Sequence, residues 1–338
     1  NSRRRKMRAR RRRRQLLIRT MTVFLLGLCV TAGFLFYRSN TKEEHLAADY
    51  ETAHYNDSLY RGTLFAKDLC VAAEDDVELA GAPDPSTFKS AALFDVSAGE
   101  TDYAYHVHEK LYPASVTKIM TALLALENGN LQDIVTVNVD ASEFAADEVT
   151  VGLKKGDQLT LEALVNGLLL HSGNDNANAI AEYIGGSIEA FVDMMNEKAA
   201  QLKATHTHFA NPSGLHNDDH YTTAYDIYLI FNECIKNEDF VRIINTDSYT
   251  ADIKGADGTT RQIVSEPSHF YAHGKATLPT TAEIIGGKTG TTQKAGNCLI
   301  LLDRTADDNP YISVVMGAET KDLLYQDMTA LINGIRTS

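Results

Sequence analysis

The hydrophobic pattern divides the 338-residue chain into four unequal parts. Residues 1–15 are a polar tail dominated by arginine. Leu16–Tyr37 (LLIRTMTVFLLGLCVTAGFLFY) is apolar apart from Arg19 and a few Thr and Gly positions. As a helix rising 1.5 Å per residue it spans about 33 Å, which matches a bilayer core. Residues 38–62 are polar without a sustained period and read as a stalk. From residue 63 to residue 338 apolar segments recur, punctuated by turn residues, as in a globular body.

Within that body, Ala91–Val96 and Tyr103–His108 flank a turn at Ala98–Gly99 and predict a β-hairpin. After Pro113, Ile119, Ala122, Leu123 and Leu126 fall at i, i+3, i+4 and i+7, and Met120 and Leu124 widen the stripe. This is a largely buried helix that stops near Gly129. Leu159–Leu170 predicts a second apolar helix, and Asn178–Lys203 and Ala224–Asn237 two more. A glycine-rich turn after Ile284 leads to strands at Asn297–Leu302 and Tyr311–Gly317. In the last helix Leu324, Met328, Leu331, Ile332 and Ile335 share one face. Strands at both ends with helices between them predict the α+β class: an antiparallel β-sheet packed by helices, with an all-helical lobe.

Charge sharpens this division. The formal net charge is −13, yet ten Lys and Arg fall in residues 3–14, so the remainder carries −23. An acidic body excludes nucleic acid as substrate, because phosphate contacts need clustered cations. Dense positive charge just before an apolar span holds the N-terminus inside and places the body outside, with Arg19 snorkelling to the headgroups. A cleaved signal peptide is the competing reading. The apolar stretch is long for one, and only Val30 and Ala32 offer a small-residue cleavage pattern. Cys29 lies in LLGLC, where Leu28 stands at a position that a lipobox gives to a small residue. Either way the body is exported. Cys70, Cys234 and Cys298 form no CxxC and read as buried thiols.

Three short motifs carry chemistry. In Ser115-Val116-Thr117-Lys118 the serine and lysine lie three apart, on one face of a helix start. Free N–H groups there can stabilise an oxyanion, and burial lowers a lysine pKa enough to make it a general base. Ser115 is therefore the candidate nucleophile and Lys118 its base. Ser172-Gly173-Asn174 follows an apolar helix, so a hydroxyl and an amide project from one tight loop. Ser172 can relay a proton to a leaving amine, and Asn174 can bind a substrate peptide group. In Gly286-Gly287-Lys288-Thr289-Gly290-Thr291-Thr292, Lys288 supplies positive charge for a substrate carboxylate, and Thr289 and Thr291 supply hydroxyl donors. Gly290 admits close approach of a peptide backbone. The GKT core lacks P-loop spacing, and an exported enzyme has no ATP supply.

Taken in order, SxxK, SxN 57 residues on and KTG 116 further on resemble the signature of penicillin-recognising serine enzymes. PASVTKIMTALLALE, LLLHSGNDNANAIAE, FANPSGLHNDDHYTTAYDIYLI and GGKTGTTQKAGNCLI resemble the blocks of low-molecular-mass penicillin-binding proteins that are D-alanyl-D-alanine carboxypeptidases. The resemblance covers about residues 65–338. It implies a β-lactamase/transpeptidase-like fold and a peptidoglycan stem peptide as substrate. Ser115 would form the acyl-enzyme, Lys118 take its proton, and Ser172 pass a proton to the departing D-alanine. Backbone N–H groups of Ser115 and Thr291 would form the oxyanion hole. Lys288, Thr289, Gly290 and Thr291 would hold the terminal carboxylate end, and Asn174 the acyl-side amide. β-Lactams would acylate Ser115, and neither metal nor organic cofactor is required. Many relatives carry a β-rich second domain and a C-terminal amphipathic anchor. The expectation here is that both are missing and that the N-terminal anchor is the tether.

Four other readings compete. A D,D-endopeptidase would use the same machinery on cross-links. A class A β-lactamase needs a Glu-x-x-x-Asn loop, to which Glu233–Asn237 corresponds in spacing alone. A zinc peptidase would draw on His106 and His108, His206 and His208, His220 with Asp226, or Glu266 with His269, but no HExxH occurs. A non-catalytic wall-binding module would be expected to have lost Ser115, Lys118 or Lys288, and all three are present.

Overall fold

The computed structural model describes residues 69–336, together with residues 7, 10, 13–23, 25, 27, 31 and 32. The chain divides into two units, Asn1–Phe65 and Ala66–Ser338. In the first, the described residues are helical. Among the described residues no helix is long and apolar enough to cross a membrane. Part of the expected anchor, Cys29 included, and the whole stalk lie outside the described residues.

The second unit begins with β1 (Ser90–Asp95), β2 (Glu100–Tyr105), a 3-10 turn at Ala114–Thr117, α1 (Lys118–Asn128), β3 (Ile134–Thr136) and β4 (Gln158–Thr160). Next come α2 (Leu161–Asn166), a π-helical turn at Gly167–His171, α3 (Asn174–Gly185), α4 (Ile188–Gln201), α5 (Ala224–Cys234) and α6 (Glu238–Ile244). The chain closes with β5 (Tyr249–Lys254), β6 (Thr260–Ser265), β7 (Ala282–Thr292), β8 (Gly296–Thr305), β9 (Pro310–Ala318) and α7 (Lys321–Asn333).

Five strands form an antiparallel sheet in the order β2-β1-β9-β8-β7, so the body's first and last strands pair. Both faces are buried. Ala92, Phe94, Ile300, Leu302, Ile312 and Val314 pack into a core with Ile119 of α1 and Phe231 of α5. Leu93, Leu299, Leu301 and Val315 face Leu324, Met328, Leu331, Ile332 and Ile335, the stripe expected at the C-terminus. Strands covered on both sides carry near-continuous apolar runs, which is why β8 and β9 were legible. The fold class is the expected one.

Several boundaries differ from expectation, each for a local reason. The hairpin's second strand ends at Tyr105 because His106 turns left-handed at φ 47°, its N–H held by Asp76 at 2.8 Å. The helix expected over Asn178–Lys203 is two, parted at Gly186, with Ser187 accepting the Ala190 N–H to start α4. Asn237 accepts the N–H groups of Asp239 and Phe240 and so begins α6, a helix beyond the expected Ala224–Asn237 that had not been foreseen. The glycine-rich stretch after Ile284 is no turn; it lies inside β7. A second sheet, β3-β4-β5-β6, was not foreseen, and its β5 packs beside α2. Cys70, Cys234 and Cys298 are free and buried, and burial pushes each thiol above its ordinary pKa.

One buried acid gives this scaffold a pH signature. Asp303 on β8 is fully buried, accepts a hydrogen bond from Ser313 Oγ, and has no partner for Oδ1. Burial raises its pKa to about 7. The unfolded value is near 4, so the folded state keeps this proton longer. The stability from Asp303 is therefore full below about pH 4 and is lost as pH rises through about 7. Asp303→Asn removes that dependence. Its melting temperature relative to the parent should climb from about pH 4 to about pH 7 and level off above that in thermal unfolding; a difference that is flat across the whole range contradicts the assignment.

Candidate active site

The site forms where β7, the open edge of the five-stranded sheet, meets the 3-10 turn that begins α1. These two backbones run so close that a Cβ at position 290 would lie 2.7 Å from Pro113 O and 2.9 Å from Val116 N. Only glycine fits there. The sequence had suggested that Gly290 makes room for substrate; what it makes room for is the turn that carries Ser115. Gly214 is the counterpart on the other side, at φ 84° with no space for a Cβ against the Ala114 carbonyl.

Lys118 follows Ser115 by three residues and is completely buried, whereas Ser115 keeps partial access to solvent. Lys118 Nζ lies 3.0 Å from Ser115 Oγ, 2.8 Å from Asn174 Oδ1 and 2.7 Å from the Ser213 carbonyl oxygen. Two of these partners can only accept a hydrogen bond, while the serine hydroxyl can donate one. A neutral amine satisfies all three, with two N–H donors and one lone pair facing the Ser115 O–H. Burial, then the nearby Lys288 charge, holds Lys118 well below the usual lysine pKa, and Asp175 partly opposes this. Asp175 is itself buried and accepts N–H groups from Val151, Gly152 and Leu153 at 2.9–3.0 Å.

The SxN element owes its shape to a helix that widens. After Asn166, α2 becomes a π turn, and Ser172 leaves it left-handed at φ 71°. A non-glycine residue in that region stores strain, a frequent trait of functional loops. The turn aims Ser172 at Lys288, whose Nζ donates to Ser172 Oγ and to the Thr289 carbonyl, each at 2.9 Å. Lys288 is also buried, which lowers its pKa to about 7. Among the described residues no hydrogen bond joins the Ser115 and Ser172 hydroxyls. They line one cleft of about 180 Å3 with Thr289, Gly290 and Thr291.

Three of the expected binding groups have partners within the protein. Asn174 Oδ1 is taken up by Lys118, so the amide positions the base. Thr291 Oγ1 donates to Asn297 Oδ1 at 3.1 Å within the β7–β8 hairpin. Thr289 Oγ1 shares a hydrogen bond of 2.7 Å with Ser268 Oγ. Along a strand alternate side chains oppose each other, so Thr289 and Thr291 lie across β7 from Lys288 and Gly290.

Three positions, Ser213, His220 and Ser268, were not given their present roles by the sequence reading. Ser213 acts through its carbonyl, fixed by Asn211, whose Oδ1 accepts from Ser213 N and Gly214 N. The Asn-x-Ser-Gly run is a turn signature that points to this loop. Beneath it His220 Nδ1 accepts the Ala210 N–H, so Nε2 carries the proton and donates to Thr117 Oγ1 at 2.8 Å. Burial lowers this imidazole to about 4, and it stays neutral. Ser268 had no signal in the sequence.

The competing site patterns do not assemble. His106 and His108 lie past the end of β2, and His206 sits in a turn, so neither pair shares a strand face. Asp226 accepts from His206 N and Thr207 Oγ1 and does not meet His220. His269 Nδ1 accepts the Ala272 N–H at the start of a 3-10 turn. Glu233 pairs with Lys236 at the end of α5, and Asn237 caps α6. Neither lines the cleft with Ser115.

Comparisons with known proteins agree with this geometry. A family model described as Peptidase S11, D-alanyl-D-alanine carboxypeptidase, matches residues 78–320. D-alanyl-D-alanine carboxypeptidase DacF of Bacillus subtilis is 34% identical over 241 residues, 69% of this chain and 58% of that protein. DacC of Escherichia coli is 31% identical over 271 residues, 77% of this chain and 63% of its own length. The chain therefore spans about three fifths of these curated relatives. The crystal structure of the Streptomyces K15 DD-transpeptidase superposes with a TM-score of 0.68 at 27% identity, covering 73% of this chain and 96% of that one. A D-alanyl-D-alanine carboxypeptidase from Mycobacterium tuberculosis gives 0.65 at 29% identity, covering 77% and 95%.

Proposed function

This chain belongs to the D-alanyl-D-alanine carboxypeptidase family, peptidase S11, and on that premise we propose that it removes the terminal D-alanine from peptidoglycan stem peptides through an acyl-enzyme on Ser115. The observation that carries the reading is the buried Lys118 amine, held against Ser115 Oγ by two obligate acceptors.

In the first step Ser115 Oγ attacks the carbonyl of the penultimate D-alanine, and the neutral Lys118 takes its proton. Backbone N–H groups of Ser115 and Thr291 receive the developing oxyanion. The substrate lies along the open edge of β7 as an added strand. Lys288 lends positive charge to the cleft through Ser172, and the Thr289 and Thr291 hydroxyls, turned from Ser268 and Asn297, bind the terminal carboxylate on the other side of β7. Ser172, bonded to Lys288, carries a proton to the leaving amine. The C–N bond breaks, D-alanine departs, and water hydrolyses the ester along the same proton path in reverse. A β-lactam presents the same acyl group in a ring, so its amine cannot diffuse away, and Ser115 remains acylated.

Placement follows from the N-terminal pattern. Residues 16–37 act as a single membrane anchor after the basic tail 1–15, residues 38–62 form the stalk, and residues 63–338 work outside the cytoplasm. The substrates are peptidoglycan and β-lactams, with no role for nucleic acid.

Two measurements test these statements. Ser115→Ala should lower D-alanine release from a stem pentapeptide at least about a thousandfold and abolish covalent labelling by benzylpenicillin, with the far-ultraviolet spectrum unchanged. Labelling that persists on another residue would falsify the assignment. The full chain should remain in the membrane fraction after carbonate extraction and be released when residues 1–37 are deleted. Its appearance in the soluble fraction would rule out the anchor.

A further inference from the structure

A second cavity, of about 290 Å3, shares no lining residue with the active-site cleft. One segment separates the two spaces. Pro267, His269, Tyr271 and Ala272 line the cavity, whereas Ser268 and Phe270 line the cleft. The first part of β7, residues 282–285, forms another wall, and the end of α6 with residues 245–247 forms a third. None of the three motifs contributes a side chain to it.

His269 marks this cavity as more than a gap in packing. The residue is 8% exposed. Its Nδ1 accepts the Ala272 N–H at 3.2 Å, so the proton of the neutral ring sits on Nε2. Burial, aided by His273 and Lys288, lowers its pKa to about 4, and the ring is neutral at pH 7. Among the described residues nothing accepts the Nε2 proton, and the nitrogen is reachable rather than sealed. A donor held so deep is costly to leave without a partner. The rim supplies acceptors. Asp247 and Glu283 line the cavity and are exposed, and among the described residues neither enters an ion pair or accepts a hydrogen bond. Arg304, opposite Glu283 across β7 and β8, is taken by Asp308 at 2.6 Å. Thr246 Oγ1 donates to the Arg242 carbonyl at 2.8 Å and keeps its lone pairs. No Lys or Arg lines the cavity, and Ile244, Leu278, Ile284 and Ile285 give it apolar walls.

Two carboxylates repel an anion, and a purely apolar ligand would leave the His269 proton and both acids without partners. The complement is an aliphatic chain with an ammonium at one end and a neutral carbonyl at the other. A peptide residue with a free side-chain amine has this form. We propose that the cavity is a second binding site, separate from the catalytic cleft, for such a lysine-like residue. Its amide carbonyl accepts from His269 Nε2, its methylene chain lies against the isoleucines, and its ammonium meets Asp247 and Glu283. The site goes beyond the carboxypeptidase reading, since no step of that reaction uses it.

The test titrates the full chain in detergent, isotopically labelled at histidine, with Nα-acetyl-L-lysine methylamide. Two further probes are its norleucine analogue, which lacks the ammonium, and n-pentylamine, which lacks the amide. The lysine derivative should shift the His269 Nε2 resonance saturably, with a Kd on the order of 1 mM; His269→Gln assigns the signal. Each of the other probes should bind about fivefold more weakly or worse. Asp247→Asn combined with Glu283→Gln should weaken the lysine derivative by about the same factor and leave the norleucine analogue unchanged. A parental melting curve confirms that this variant is folded. No saturable shift up to about 50 mM overturns the site. So does either analogue binding as tightly as the lysine derivative, or a lysine affinity indifferent to the double variant. Binding that disappears once benzylpenicillin occupies Ser115 places the probe in the cleft and overturns it as well.

Discussion

Two lysines buried within one cleft set the terms for everything else in this molecule. An isolated ammonium in an apolar interior is too costly to keep, and two near each other are costlier still. Burial and the neighbouring charge hold Lys118 well below the usual lysine pKa, and Lys288 is drawn down to about 7. The neutral amine is what a hydroxyl nucleophile requires, so the cost of burial becomes the source of reactivity. Asp175, held by three backbone N–H groups, limits how far the depression goes.

The scaffold is arranged to hold those two amines rigidly. Lys118 is clamped between Asn174 of α3 and the Ser213 carbonyl, and the loop bearing that carbonyl is closed by Asn211. Lys288 is fixed because β7 is hydrogen-bonded to β8 on one side and pressed against the Ser115 turn on the other. The left-handed Ser172 lies between the motifs, bonded to Lys288, so three segments remote in sequence meet within hydrogen-bond distances. Strain at Ser172 is sustained because α2 and α3, on either side of it, are deeply buried.

Much of this was legible because it obeys a period. The stripe of Ile119, Leu123 and their neighbours required a buried helix, and the face from Leu324 to Ile335 required one packed on a sheet. The three motifs named Ser115, Lys118, Ser172, Asn174 and Lys288 through Thr291 as a set; Ser115, Ser172 and residues 289–291 line one cleft, and Lys118, Asn174 and Lys288 are hydrogen-bonded behind it. What was missed lacks a period. The 211–220 loop is irregular and polar, and it acts through backbone carbonyls that any residue possesses. The glycines of β7 looked like a turn, because steric pressure from a neighbouring backbone leaves the same sequence trace as a bend. The π widening after Asn166 arises in a run whose apolar pattern is indistinguishable from that of an ordinary helix.

The protonation state of Lys118 is the point on which the mechanism stands or falls. It can be followed directly by recording the lysine side-chain carbon and nitrogen resonances of the isotopically labelled enzyme across pH 5 to 11, with Lys118→Arg to assign the signal. The account predicts one lysine that is neutral at pH 7.5 and titrates well below the usual value near 10.4. A Lys118 signal that stays protonated past pH 9 would contradict it.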